Sequence, residues 1–215
     1  MPVPLKIDFV SDISCPWCVI GLRALEQAIA RLDGQVAVDL HFQPFELNPQ
    51  MPAGGQDIDE HLQQKYGSTP EQAALVRERI RAAGAALGFT FSLQTRSRIY
   101  NTFDAHRLLH WAALEGHQLA LKQALFQAYF TDGEDPSNHQ VLIRAAARVG
   151  LDATRAARIL DSNEFAAVVR KEQAFYQDQG IHAVPAVIIN NQHLIQGGQP
   201  VEVFEQALRQ IAGLA

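Results

Sequence analysis

Leu5-Lys6-Ile7-Asp8-Phe9-Val10-Ser11-Asp12-Ile13-Ser14-Cys15-Pro16-Trp17-Cys18 reads as one unit, a strand that turns into the start of a helix. Apolar residues at 5, 7 and 9, followed by Val10, suit a strand with at least one buried face. Ser11, Asp12 and Ser14 supply turn and capping chemistry, and Leu22, Leu25, Ile29 and Leu32 then recur at helical spacing until Gly34 stops the run. Val36, Val38, Leu40 and Phe42 alternate as in a second strand, which extends toward Leu47 and is ended by Asn48-Pro49. The chain therefore opens as βαβ, with a Cys-x-x-Cys at the first turn of its helix.

From about Gly54 to Gly180 the pattern changes to amphipathic helical stretches, with no strand pattern among them. Thr69-Pro70-Glu71 reads as an N-cap with Pro at the first helical position, opening a helix that Gly84 interrupts and Gly88 closes. The runs Asn101 to Glu115, Gln118 to Phe130, His139 to Val149 and Glu164 to Gln179 read as further helices, and Phe126, Tyr129 and Phe130 on the second of them as core packing. After Gly180, Ala186-Val187-Ile188-Ile189 is a buried strand, Asn190-Asn191 a tight hairpin turn and His193-Leu194-Ile195 its partner. Gly197-Gly198 breaks the pattern, and Val201, Phe204, Leu208 and Ile211 mark a last amphipathic helix. The ββα ending completes the βαβ opening across a helical insertion.

A chain of 215 residues with 47% hydrophobic and 19% charged residues has enough apolar side chains for a sizeable core. The formal net charge of -5, with Lys and Arg scattered, gives no footprint for nucleic acid or anionic lipid, so neither is an expected partner. Met1 to Lys6 lack the features of a secretory signal, and no apolar run approaches membrane-spanning length, so a cytoplasmic location is expected. In a reducing compartment the only two cysteines, three positions apart, are catalytic or metal-binding rather than a structural disulfide.

At the start of a helix the unpaired amides and the dipole favour an anion, which makes Cys15 the candidate nucleophile. Cys18 lies about one turn deeper, placed to attack a mixed disulfide on Cys15 and release the product. Pro16 suits the first helical turn, and Trp17 offers a flat apolar surface beside the thiol. A structural zinc site would need two further ligands; there is no second Cys-x-x-Cys, and His106 with His110 is the only helical histidine pair, so no metal is expected.

Taken together, Cys15-Pro16-Trp17-Cys18, Asn101-Thr102-Phe103-Asp104-Ala105-His106-Arg107, Val184-Pro185 and Ile195-Gln196-Gly197-Gly198-Gln199-Pro200 resemble the DsbA-like branch of thioredoxin-fold oxidoreductases. Within that branch the Asn101 to Arg107 segment is similar to the FrnE-type proteins. The resemblance covers essentially the whole length. It implies an α/β, thioredoxin-like fold, made from residues 1–53 and 180–215, interrupted by an all-helical insertion at 54–179. It implies a dithiol-disulfide oxidoreductase or disulfide isomerase acting on protein or small-molecule disulfides, whose redox-active centre is the Cys15 to Cys18 pair. It also implies that the Val184-Pro185 bond is cis and lies against the dithiol, where the Val184 backbone can pair with an extended peptide. Asn101, His106, Arg107 and His182 become candidate substrate-binding residues, and His182, three residues before Pro185, is also placed to tune the Cys15 thiolate.

The same superfamily holds glutathione-dependent isomerases of 2-hydroxychromene-2-carboxylate and kappa-class glutathione transferases. Those relatives usually carry Ser at the position of Cys15 and bind glutathione with a Ser-Asp pair after the last strand. Here that position reads Gly198-Gln199, without the carboxylate, so no dedicated cofactor is expected and glutathione is disfavoured. A glutathione-dependent isomerase or transferase is thus the alternative enzyme, and a redox-sensing or peptide-binding module the non-catalytic one.

Overall fold

The computed structural model describes residues 1–52, 54–92 and 96–214. Strands β1 (Val3–Ser11), β2 (Val36–Pro44), β5 (Ala186–Ile189) and β6 (His193–Gln196) form one mixed sheet in the order β2-β1-β5-β6. β1 runs parallel to β2, with Ile7 opposite Leu40, and antiparallel to β5, with Ile7 also opposite Ile189. A strand paired on both sides and covered on both faces is buried throughout its second half, as Ile7 to Ser11 are.

Helix α1 (Pro16–Arg31) follows β1 directly. Pro16 at its first position has φ already set for a helix and no N–H to leave unpaired. Its apolar stripe, including Val19, Leu22 and Leu25, is buried against the sheet and the C-terminal helix α9 (Val201–Ile211). Each such leucine stabilises by about 1.5–3 kcal/mol relative to exposure. On the opposite face, Val10, Phe45, Tyr176, Ile181 and Ala186 make a smaller core. The β5–β6 hairpin turns through Asn190 and Asn191, both with positive φ, the backbone of a type I′ turn in which Asn is favoured.

Between β2 and β5 stand α2 (Ile58–Tyr66), α3 (Pro70–Ala86), α4 (Phe103–Leu114), α5 (Gln118–Phe126), α6 (His139–Arg148), α7 (Ala153–Leu160) and α8 (Ala166–Asp178). Among the described residues the regular structure of the insertion is helical apart from a two-residue pairing of β3 (Gln56–Asp57) with β4 (Arg98–Ile99), too short to leave a period-2 pattern. Arg98 fastens that pairing by donating to the carbonyls of Gly54 and Gly55. Helices α2 and α7 escape the apolar-period reading. α2 buries only His61 and starts on Asp57, whose carboxylate accepts from the amides of Asp59 and Glu60, while α7 is eight residues capped in the same way by Asp152.

Gly84 does not interrupt α3, contrary to its sequence reading. It lies inside the helix because Phe91 packs on it, and a Cβ there would come within 2.4 Å of the Phe91 ring. The run read as a helix to Phe130 is α-helical to Phe126 and then closes in a π-turn, Gln127–Thr131. Phe126, Tyr129 and Phe130 are all buried, as expected of core packing. The boundary positions 53 and 215 lie outside the described residues. Among the described residues no helix is long and apolar enough to cross a membrane.

Candidate functional site

Cys15 is the N-cap of α1, with extended backbone, so its side chain stands where the first amides of the helix are unpaired. Its Sγ faces the carbonyl oxygen of Val184 at 3.6 Å, and the Val184-Pro185 bond is cis. Two glycines allow this close seating. A Cβ on Gly21 would stand 3.1 Å from Pro185 Cγ, and one on Gly198 would stand 2.9 Å from the Trp17 carbonyl oxygen. Pro16 and Trp17 are half-buried beside the thiols. Cys15 is 4% exposed and Cys18 0%; the helix start folds Cys18 inward, its amide donating to the Cys15 carbonyl at 3.1 Å. Both thiols are free. Burial, and then the neighbouring Cys15, push the Cys18 thiol well above its ordinary range, opposed by the charge of Lys122.

Beneath the dithiol lies a buried polar cluster. Asp12 accepts from the Leu47 amide at 2.7 Å, from Ser14 Oγ at 2.9 Å and from the Ser14 amide at 3.3 Å, and His106 Nε2 stands 3.5 Å from its Oδ1. Burial alone would raise the Asp12 carboxyl, but His106 and the donated hydrogen bonds hold it down at about 2. Lys122, on α5, is 0% exposed, with its Nζ 5.0 Å from the Phe126 ring centroid and 5.8 Å from that of Phe42. That ammonium finds no hydrogen-bond acceptor among the described residues.

A thiol pair at a strand-to-helix turn, faced by a cis-proline loop, is the arrangement of a thioredoxin-type redox site, and a family model for the DSBA-like thioredoxin domain matches residues 6–209. The chain belongs to the DsbA-like thioredoxin family. It is similar to a probable DsbA oxidoreductase from Streptomyces coelicolor, 33% identical, with a TM-score of 0.91 over 97% of this chain and 90% of that one. It is also similar to the Bacillus subtilis protein YwbO, 27% identical over 97% of this chain and 96% of the relative. Two further structures share the DsbA-like fold alone. One is a cytosolic disulfide reductase, DsbM, from Pseudomonas aeruginosa, solved with GSH, at 17% identity and TM-score 0.67 over 97% of this chain and all of that one. The other is a 2-hydroxychromene-2-carboxylate isomerase, at 14% and 0.70 over 98% and 99%.

The remaining candidates of this DsbA-like chain divide between the site and the scaffold. His106 reaches the site from α4, but it is buried and turned to Asp12. Its i+4 neighbour His110 turns elsewhere, to Glu172 at 3.4 Å and the Phe165 ring. Among the described residues no group of three or more His, Cys, Asp and Glu gathers as metal ligands. Asn101 lies just before α4, whose N-cap is Thr102; its Oδ1 accepts from the Phe103 amide and its Nδ2 reaches Glu46. Arg107, read as a substrate contact, is buried in the insertion instead. It binds Asp104 at 2.8 Å, the Glu164 carbonyl at 2.9 Å and the carbonyl of Ile159 at the end of α7. His182 is exposed in the loop before Pro185, and its side chain makes no hydrogen bond or ion pair among the described residues.

Three residues of the site were missed as functional. Asp12 was read only as turn chemistry. Lys122 sits in Leu121-Lys122-Gln123-Ala124-Leu125-Phe126, where i+3 and i+4 are Leu125 and Phe126, so helical spacing places it on the core stripe. Tyr66, exposed at the end of α2, lies near enough to Cys15 for the two to interact electrostatically; burial first, then Cys15, raise its phenol.

Proposed function

We propose that this DsbA-like protein exchanges dithiols for disulfides, or isomerises disulfides, through Cys15 and Cys18. The observation that carries this reading is the seating of Cys15 Sγ at the N-terminus of α1, 3.6 Å from the Val184 carbonyl, with Cys18 buried behind it. Cys15 attacks a substrate disulfide, forming a mixed disulfide and expelling one substrate thiolate. Cys18 then attacks Cys15 Sγ, leaving a Cys15–Cys18 disulfide and releasing the second substrate thiol. An extended substrate, protein or small molecule, lies along the Val184 backbone beside Pro185 and Trp17. The unit made from residues 1–53 and 180–215 carries the dithiol, the insertion at 54–179 covers it, and the protein works in the cytoplasm with FrnE-type chemistry.

Glutathione enters as a redox partner rather than a dedicated cofactor, because Gly198-Gln199 offers no carboxylate to a γ-glutamyl group. The test is the pair Cys18→Ser and Cys15→Ser, exposed to an oxidised protein substrate and run on non-reducing gels. Cys18→Ser accumulates covalent adducts on Cys15, and Cys15→Ser abolishes both turnover and trapping. Adducts on Cys18 in Cys15→Ser would overturn the assignment. Micromolar glutathione binding, with activity surviving Cys18→Ser, would favour the isomerase class, and failure to turn over insulin would favour a non-catalytic module.

A further inference from the structure

One face of α4 carries His106, Leu109, His110, Ala113 and Leu114, at i, i+3, i+4, i+7 and i+8. This stripe lines a cavity of about 150 Å³ whose other walls are β2 from His41 to Pro44, Gln118 and Lys122 on α5, and Glu172 on α8. At about 1.5 Å per residue the stripe spans about 12 Å, from the buried His106 to Leu114, which is 68% exposed. The cavity is therefore a slot, closed at one end and open to solvent at the other. Between the ends its walls are largely apolar, with Phe42, Leu109 and Ala113 among them, and neither thiol lines it.

The closed end holds a charge without a partner. Lys122 is 0% exposed, and its Nζ makes no hydrogen bond among the described residues. Asp12 does not serve it, because that carboxylate accepts from Leu47 and Ser14 and faces His106. The other polar side chains of the slot are engaged as well. Gln118 is committed to the Phe42 backbone, Gln43 donates to Asp8, His41 faces Asp39 at 2.8 Å and His110 faces Glu172 at 3.4 Å. Burial pulls the Lys122 ammonium down to about 8, against the attraction of Cys18, Asp12 and Cys15, so at pH 7 it is mostly charged. A buried cation without an acceptor is unfavourable. Since the fold has already desolvated this one, an anion that enters the slot gains the pairing without that part of the cost.

We propose that this slot is a binding site for a short aliphatic monocarboxylate, its carboxylate on Lys122 Nζ at the closed end and its chain along Phe42, Leu109 and Ala113 toward Leu114. The ammonium and the carboxylate form a charge-assisted hydrogen bond, and the apolar walls take the methylene groups. A volume of about 150 Å³ is the share of about five water molecules at about 30 Å³ each, which suits a ligand of about six non-hydrogen atoms, the size of butyrate. Glu172 at the open end repels a second carboxylate, so the site selects monoacids over diacids. Because neither thiol lines the slot, the proposal does not rest on the dithiol reading.

The test is calorimetric titration of the reduced full-length protein with sodium butyrate at pH 7 and constant ionic strength, with amide chemical shifts read by NMR to locate the ligand. The parent binds butyrate with a dissociation constant of about 1 mM or tighter, within the reach of six non-hydrogen atoms, and the amides of Leu109, Ala113, Gln118 and Lys122 shift. Butyramide, which lacks the charge, and succinate, which carries a second one, bind the parent at least tenfold more weakly. Lys122→Met weakens butyrate binding at least tenfold. Ala113→Phe keeps Lys122, fills the slot from an exposed position and does the same, so it carries the test should Lys122→Met fail to fold. The double variant Cys15→Ser, Cys18→Ser binds within twofold of the parent, which separates the slot from the dithiol. The proposal is overturned by an absence of heat and amide shifts at about 20 mM butyrate in the parent, or by binding within threefold of the parent in either folded slot variant. Equal affinity for butyramide, or loss of binding in the cysteine double variant, overturns it as well.

Discussion

Asp12→Asn isolates the charge of the carboxylate beneath the dithiol. The folded protein holds this carboxyl at about 2 against an ordinary 3.8, and at about 1.36 kcal/mol per pH unit the difference is worth about 2 kcal/mol of stability. Because the folded value is the lower one, that stability is fully present above about pH 5 and is lost as pH falls through 4 toward 2. Asparagine keeps the shape but not the charge, and its amide group turns an N–H toward the Ser14 or Leu47 donors, which costs a further 1–3 kcal/mol, roughly. Urea unfolding followed by circular dichroism at pH 7, 5, 4, 3 and 2.5 measures both effects. The variant is less stable by about 3–5 kcal/mol at pH 7, and the gap to the parent narrows by about 2 kcal/mol between pH 5 and 2. Other carboxylates titrate in the same window but cancel in the difference. A gap independent of pH, or one that closes between pH 7 and 5, would refute the reasoning.

Replacing Arg107 with Met strips the carbonyls at the end of α7 of their donor and leaves buried acceptors unpaired; urea unfolding should register a loss of about 2–4 kcal/mol, with thiol-exchange rate per folded molecule unchanged. Lys122→Met removes a buried cation without an acceptor among the described residues, so its melting temperature should equal or exceed that of the parent by calorimetry. Gly198→Ala places a Cβ 2.9 Å from the Trp17 carbonyl, which should cost about 1–3 kcal/mol in unfolding experiments and slow iodoacetamide alkylation of Cys15 by shifting α1 against the cis-proline loop.

The strand, turn and helix from Leu5 to Leu32 were legible because each depends on local chemistry: alternation, capping residues, Pro16 at the first helical position and a 3.6-residue apolar period. The hairpin at Asn190-Asn191 was legible for the same reason. Gly84 was misread because propensity knows nothing of Phe91, whose ring requires the missing side chain. Arg107 was misassigned because a buried arginine that satisfies distant carbonyls has the same sequence appearance as one facing a cleft. Only Asp104 is near it; the carbonyl acceptors of Arg107 lie 52 to 57 residues away along the chain, and nothing local announces them. Lys122 left a signal in its helical register, yet only packing distinguishes a lysine that snorkels to water from one enclosed by Phe42 and Phe126.

The insertion also determines the electrostatics of the thiols. The thioredoxin-like elements supply Cys15, Cys18 and Asp12, so left alone the buried site would gather only groups that become anionic, each disfavouring the next. The opposing charges come from α4, through His106, and from α5, through Lys122. Gln118, one helical turn before Lys122, ties α5 to the sheet through an amide group that both accepts from and donates to the backbone of Phe42 at 2.9 Å. Phe42 lies on the edge strand β2, so this side chain pairs with the free edge much as another strand would, and the ring of the same residue packs under the Lys122 ammonium. Together with the buried Leu121, Leu125 and Phe126, this pairing holds α5 where the Lys122 charge opposes the rise of the Cys18 thiol.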